Sequence, residues 1–323
     1  MLYTVRDILH ARNFLRDRVR HTPLEYSPLL SERSGGEIWL KLENLQHTGS
    51  YKLRGVYNKI RTMSVEEKER GIVTSSSGNH AQAVAMIAHE MGLRAVVFVP
   101  GLCPEVKRAS ILRRGGGDVE LRVVGTFYDD AARASVAYAK EHAMTYVSPS
   151  NDPAVSIGHG TAGLEIVEDL PDVDVLLSPL ASGGLLHGLT VAVKAFRPDV
   201  RVFGVHPSNN PCWSESWGAG EIVHVAEKAS VADALSGTGC PEHLEFLKCE
   251  ASGMIGVTEE EIEEALRFMI YDHRQIVEGS GAVAVAAALS GKVDLRGSSA
   301  VLFVSGGNIG RERLSGLISG VAA

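Results

Sequence analysis

Four short stretches carry residue types and spacings that could do chemistry. The first is Thr48-Gly49-Ser50-Tyr51-Lys52-Leu53-Arg54-Gly55, with Lys52 at the start of a predicted helix. A helix N-terminus and Arg54 would both raise the potential there and favour the neutral amine that Schiff-base chemistry needs. The second is Thr74-Ser75-Ser76-Ser77-Gly78-Asn79-His80-Ala81-Gln82, where a predicted strand gives way to a helix. Hydroxyls and free backbone N–H groups converging on a helix start suit a carboxylate or a phosphate. The third is Pro179-Leu180-Ala181-Ser182-Gly183-Gly184-Leu185, whose paired glycines let the backbone approach a phosphate closely. It lacks the G-K-[ST] ending of a Walker A loop. The fourth is Phe303-Val304-Ser305-Gly306-Gly307-Asn308-Ile309-Gly310, where a hydroxyl at a strand's carboxyl end faces the crevice in which open parallel sheets bind ligands. Taken singly, each also reads as ordinary structure: a solvated helix face, a serine-rich cap, a tight turn, a strand-to-helix turn.

The elements that must position these stretches alternate along the chain. Residues 71–74, 95–99, 119–123 and 145–147 read as strands, and residues 81–91, 105–113 and 128–142 as the intervening helices. A second series follows, with strands over 174–178, 201–205 and 300–304 and helices over 185–196, 259–271 and 282–289. Ser64 to Glu67 and Thr258 to Glu261 each match the S/T-x-x-E capping box. The fold class expected is α/β, with two parallel-sheet units sharing the chain.

Composition narrows the function. With 323 residues, 45% hydrophobic and 22% charged, the chain can bury a substantial core. A net charge of −7 without a basic run argues against nucleic acid. Cys103, Cys212, Cys240 and Cys249 are scattered, which suits free thiols in a reducing compartment better than a disulfide framework or zinc site. The charged N-terminus does not resemble a signal peptide, and the apolar run 282–289 is too short to span a bilayer, so a cytoplasmic, membrane-free protein is expected. Gly158-His159-Gly160-Thr161-Ala162-Gly163 matches G-x-G-x-x-G, but the polar, proline-interrupted stretch before it and the lack of an acid at the required distance argue against a dinucleotide site. No histidine pair has metal-ligand spacing, and no G-x-S-x-G elbow supports a hydrolase.

Together the four stretches offer an amine nucleophile, two anion cradles and a lone hydroxyl. Pyridoxal 5'-phosphate needs these partners for its aldehyde, its phosphate, the substrate carboxylate and its ring nitrogen. Ser-Tyr-Lys-Leu-Arg-Gly, Ser-Ser-Gly-Asn-His-Ala-Gln, the glycine-rich loop and Ser-Gly-Gly-Asn, in this order, resemble the fold-type II pyridoxal-phosphate family of serine/threonine dehydratases and serine racemases over nearly the whole chain. The resemblance implies two α/β domains with the cofactor in the cleft between them: a large one from residues 1–70 and 148–323 and a small mobile one from 71–147. It implies that Lys52 carries the cofactor, Asn79 bonds its ring hydroxyl, Ser182, Gly183, Gly184 and Leu185 hold its phosphate, and Ser305 faces its ring nitrogen. Ser76, Ser77, Gly78, Asn79 and His80 would bind the substrate, and Ser77 would act catalytically opposite the lysine.

The activity so implied is dehydration and deamination of L-threonine or L-serine to a 2-keto acid and ammonia. Serine or aspartate racemase, threo-3-hydroxyaspartate ammonia-lyase and a non-catalytic amino-acid-binding module are the alternatives. A homodimer is expected from the resemblance alone. The chain departs from the family pattern at Ala181 and Ser182, which stand where two glycines are usual, and at Tyr51, where phenylalanine is usual. His206-Pro207 and Cys212 stand where some members bind a divalent cation, so no metal is expected there.

Overall fold

Residues 2–319 are described by a computed structural model, and their strands form two sheets. In chain order the strands are β1 (Leu24–Tyr26), β2 (Glu37–Leu42), β3 (Ile72–Ser75), β4 (Ala95–Val99), β5 (Val119–Val123), β6 (Thr145–Tyr146), β7 (Val175–Pro179), β8 (Arg201–Pro207), β9 (Gly253–Val257) and β10 (Ser299–Val304). The six-stranded sheet runs β1-β2-β10-β7-β8-β9 and the four-stranded sheet β5-β4-β3-β6. Both sheets are parallel, as expected, apart from one edge pair, in which β1 runs antiparallel to β2. The connection between them, residues 27–36, is too short for the crossover that a parallel pair needs.

Burial explains why these runs became strands. Every residue of β3, β4 and β7 is buried, as in a parallel sheet covered on both faces. The Gly279–Leu289 helix, apolar on all sides and buried from Gly279 to Ala288, packs in the main cluster against Leu40, Val205 and Leu302. It starts three residues before the predicted 282, whereas Glu259–Tyr271 forms as predicted. Both capping boxes are present.

One long helix, Pro153–Asp169, was not anticipated. The G-x-G-x-x-G stretch lies inside it, and its glycines allow close packing against the Gly184–Lys194 helix. A Cβ at Gly160 would stand 2.8 Å from the Gly188 carbonyl oxygen, and one at Gly163 would stand 2.8 Å from Ala192 Cβ. Among the described residues no helix is long and apolar enough to cross a membrane.

Candidate active site

The carboxyl ends of β3, β7 and β10 deliver three of the four stretches, and the chain after β2 delivers the fourth. Ser50 forms a β-bridge with Gly306, the Tyr51 N–H donates to the Ser305 carbonyl at 3.2 Å, and the Gly307 N–H donates to the Gly49 carbonyl at 2.9 Å. These bonds fix the start of the Lys52–Thr62 helix against the end of β10. Lys52 is half-buried, with its Nζ 3.3 Å from the Pro149 carbonyl oxygen. Ser305 is buried, and its hydroxyl makes a long 3.4 Å bond to the Ser280 carbonyl.

Arg54 does not act as its neighbourhood suggested. It is fully buried on the other side of the helix, paired with Glu43 at 2.7 Å and Glu165 at 2.6 Å. Lys41, also buried, bonds Glu165 at 2.7 Å. Burial alone would lower the arginine pKa, but the two carboxylates outweigh that and raise it. The guanidinium is therefore held by the two carboxylates, and its charge also helps to keep His159 neutral.

After β3, residues 76–78 form an open loop and the Asn79–Met91 helix begins, so Ser76, Ser77 and Gly78 lie at a helix N-terminus without a side-chain cap. His80 is buried, with its Nε2 3.1 Å from the Val147 carbonyl oxygen. Burial and the nearby Lys52 charge push its pKa down to about 3, so the ring is neutral. His159, packed edge-on to Tyr51 at 4.6 Å, is driven well below the ordinary histidine value, first by burial and then by Lys52.

Asn79 reaches across to the larger sheet. Its Nδ2 donates to Glu278 Oε1 at 2.6 Å, and its Oδ1 accepts from Asn308 Nδ2 at 2.7 Å. Glu278 was not singled out by sequence. Burial raises its pKa to about 7, the Asn79 bond opposes the rise, Asp233 adds to it, and Lys107 and Lys52 moderate it. A single acid just before a wholly apolar helix was the available signal, since a carboxyl there must enter the core with it. A cavity of about 610 Å³ opens beside Glu278 and Asn308, where Lys107 and Asp233 pair at 3.3 Å.

The third stretch caps the Gly184–Lys194 helix. Gly183 has φ 102° and no side chain caps the helix, so the N–H groups of its first turn stay free. The first backbone bond into the helix runs from the His187 N–H to the Gly183 carbonyl at 2.9 Å. Trp213 anchors the loop through a hydrogen bond from its indole N–H to the Ala181 carbonyl. Packing leaves no room for side chains here: a Cβ at Gly183 would meet His243 Cβ at 2.7 Å, and one at Gly184 would meet Ser156 Oγ at 2.7 Å.

This donor set fits pyridoxal phosphate. A lysine amine, an uncapped helix N-terminus behind two glycines and a buried hydroxyl are present in one region. Buried polar atoms without partners gather there too, among them Ser50 Oγ, Ser75 Oγ, His80 Nδ1 and His159 Nδ1. Buried polar groups are normally paired, so such a concentration marks a place where a polar ligand belongs.

Fold and donor set define an enzyme of the pyridoxal-phosphate class: residues 15–307 match the model of the family described as "Pyridoxal-phosphate dependent enzyme", and the chain belongs to that family. Its fold is that of the type II members. Among particular relatives, the L-threonine ammonia-lyase of Thermotoga maritima is 42% identical over 310 residues, covering 95% of this chain and 76% of that protein. The solved maize serine racemase superposes with a TM-score of 0.93 at 27% identity, covering 99% of this chain and 98% of that one. The processed form of threonine deaminase isoform 2 from Solanum lycopersicum gives a TM-score of 0.90 at 30% identity, covering 98% of this chain and 91% of that one.

Proposed function

We propose that this enzyme deaminates a β-hydroxy amino acid, L-threonine or L-serine, to a 2-keto acid and ammonia, losing water in the elimination and regaining it in the hydrolysis that follows. The observation that supports the reading is the Ser50–Gly306 bridge, which joins the backbone just before Lys52 to the backbone just after Ser305. The name of the Thermotoga maritima relative supports threonine as substrate.

Bound pyridoxal phosphate supplies an aldehyde for the substrate amine and a ring that takes up the electron pair left at the α-carbon. The protein does the rest. Ser182, Gly183, Gly184 and Leu185 hold the phosphate through backbone N–H groups and the Ser182 hydroxyl. The loop Ser76-Ser77-Gly78 and the N–H groups of Asn79 and His80 hold the substrate carboxylate. Lys52 would serve as the general base that takes the α-proton. The β-hydroxyl would leave as water by taking the proton that Lys52 carries, and the released enamine would tautomerise and be hydrolysed to the keto acid and ammonia. Ser305 would offer a neutral hydroxyl to the ring nitrogen, which would stabilise a carbanion less than a carboxylate and favour prompt elimination. Asn79 would offer the ring hydroxyl its remaining amide hydrogen.

Residues 71–147 act as the smaller unit that moves over the cleft, and 1–70 with 148–323 as the larger. The Lys107–Asp233 ion pair ties one to the other and would break on opening. A homodimer is proposed from the family likeness, and a cytoplasmic location is supported by four free cysteines. A racemase is the second reading, favoured by the Ser77 hydroxyl, which can return a proton on the face opposite Lys52.

Side-by-side turnover of L-threonine, L-serine and threo-3-hydroxyaspartate, with chiral analysis of products, tests the proposal. Keto acid should dominate. D-serine formed from L-serine faster than pyruvate would overturn it. Ser77→Ala should abolish any racemisation while elimination continues, since the general base Lys52 is untouched.

A further inference from the structure

Behind the glycine loop lies a pair of histidines that the proposed reaction does not use. His187 and His243 are both buried, and their Nδ1 atoms are 2.8 Å apart. Each ring's Nε2 is buried without a partner. His187 is sandwiched, stacking on Phe246 at 3.7 Å and on Tyr3 at 4.7 Å. His243 instead packs directly on the glycine loop. Its Nε2 lies 3.5 Å from the point where a Gly184 Cβ would stand, and its Cγ lies 3.1 Å from the corresponding point at Gly183.

We infer that His243 is a phosphate-binding residue, donating its Nε2–H to the cofactor phosphate, and that His187 is the positioning residue that fixes this tautomer. Two neutral imidazoles meeting Nδ1 to Nδ1 hold one proton between them, so one donates and the other accepts. If His243 donated, its bare Nε2 lone pair would face a phosphate dianion, and His187 would keep a buried Nε2–H among aromatic rings with no acceptor. With His187 donating, His243 carries its proton on Nε2 toward the anion, and the unpaired atom left on His187 is an acceptor. Orphaned donors are the rarer and costlier case in folded proteins. Burial pushes His187 to about 3 and His243 to about 4, so both rings are neutral at ordinary pH, as the tautomer relay requires.

The inference rests on residues 182–185 being the phosphate cradle, and the test separates the two ideas. Apoenzyme is titrated with pyridoxal 5'-phosphate and with pyridoxal, which lacks the phosphate, and binding is followed by absorbance. Wild type should prefer the phosphorylated form. His243→Leu should weaken that form roughly 10- to 100-fold, the range for a hydrogen bond to a charged group, and leave pyridoxal unchanged. His243→Gln, whose amide N–H reaches the Nε2 position, should recover most of the loss. Equal weakening of both ligands by His243→Leu, or none, would overturn the inference while the cradle stands. Wild type showing no preference for the phosphate would overturn both. If the variants fail to fold, ¹⁵N NMR of histidine-labelled wild-type holoenzyme decides: a protonated Nε2 and bare Nδ1 on His243 support the relay, and the reverse assignment overturns it.

Discussion

Lys52 and Arg54 stand two residues apart on one helix and belong to opposite kinds of environment. Arg54 enters a closed set of charges in which Glu43, Glu165, Lys41 and Thr161 are bonded to one another or to the guanidinium. Lys52 is half-buried, its amine makes one long bond, and Ser75, His80 and His159 carry unpaired buried atoms. The closed set is satisfied by its own partners, and the open set is not. A carboxylate pair could have drawn Lys52 inward as it drew Arg54. The helix turn between them prevents this, because residues two apart point to different faces.

Two substitutions should separate these environments. Lys52→Ala should abolish turnover, a loss of many orders of magnitude, while thermal melting of the apoprotein changes little; a variant retaining even roughly a hundredth of the rate would end the reading of Lys52 as cofactor lysine and base. Arg54→Ala should do the reverse in kind, lowering unfolding free energy by about 3–5 kcal/mol, because it strands buried carboxylates. Denaturant titration measures this. A cost under about 1 kcal/mol would mean that water reaches the cluster and that the contrast between the two regions is false.

The two regions also differed in legibility. The four strand-end stretches were readable because glycine, serine and lysine at strand-to-helix junctions carry their chemistry locally. The Arg54 cluster was not, since Glu43 and Glu165 come from distant elements and give no spacing signal. Glu278 escaped for the same reason: its partner Asn79 is 199 residues away. The Pro153–Asp169 helix was hidden by Gly158, Gly160 and Gly163, which look like loop residues but serve close helix packing. Buried on nearly all sides, it shows no amphipathic period to betray it.

The mildest effect concerns Glu278 and turns the comparison into a difference of sign. Its carboxyl sits in the open region with a pKa raised from 4.5 to about 7, chiefly by burial. A carboxyl that holds its proton more tightly when folded favours the folded state fully below pH 4.5 and loses that advantage as pH rises through 7. Above that, ionised and buried, it costs on the order of 3 kcal/mol. Glu278→Gln keeps an oxygen to accept the Asn79 N–H and removes the charge. The apoprotein should therefore gain roughly 1–3 kcal/mol at about pH 8 and markedly less at about pH 5. Replacing a charge in the Arg54 cluster costs stability, so a gain here identifies the Asn79–Glu278 contact as one kept at the fold's expense. Urea titrations at the two pH values provide the check. A destabilised Glu278→Gln apoprotein at the higher pH would mean that Lys52 and Lys107 already neutralise the carboxylate, and the cleft would then be as well satisfied as the cluster behind it.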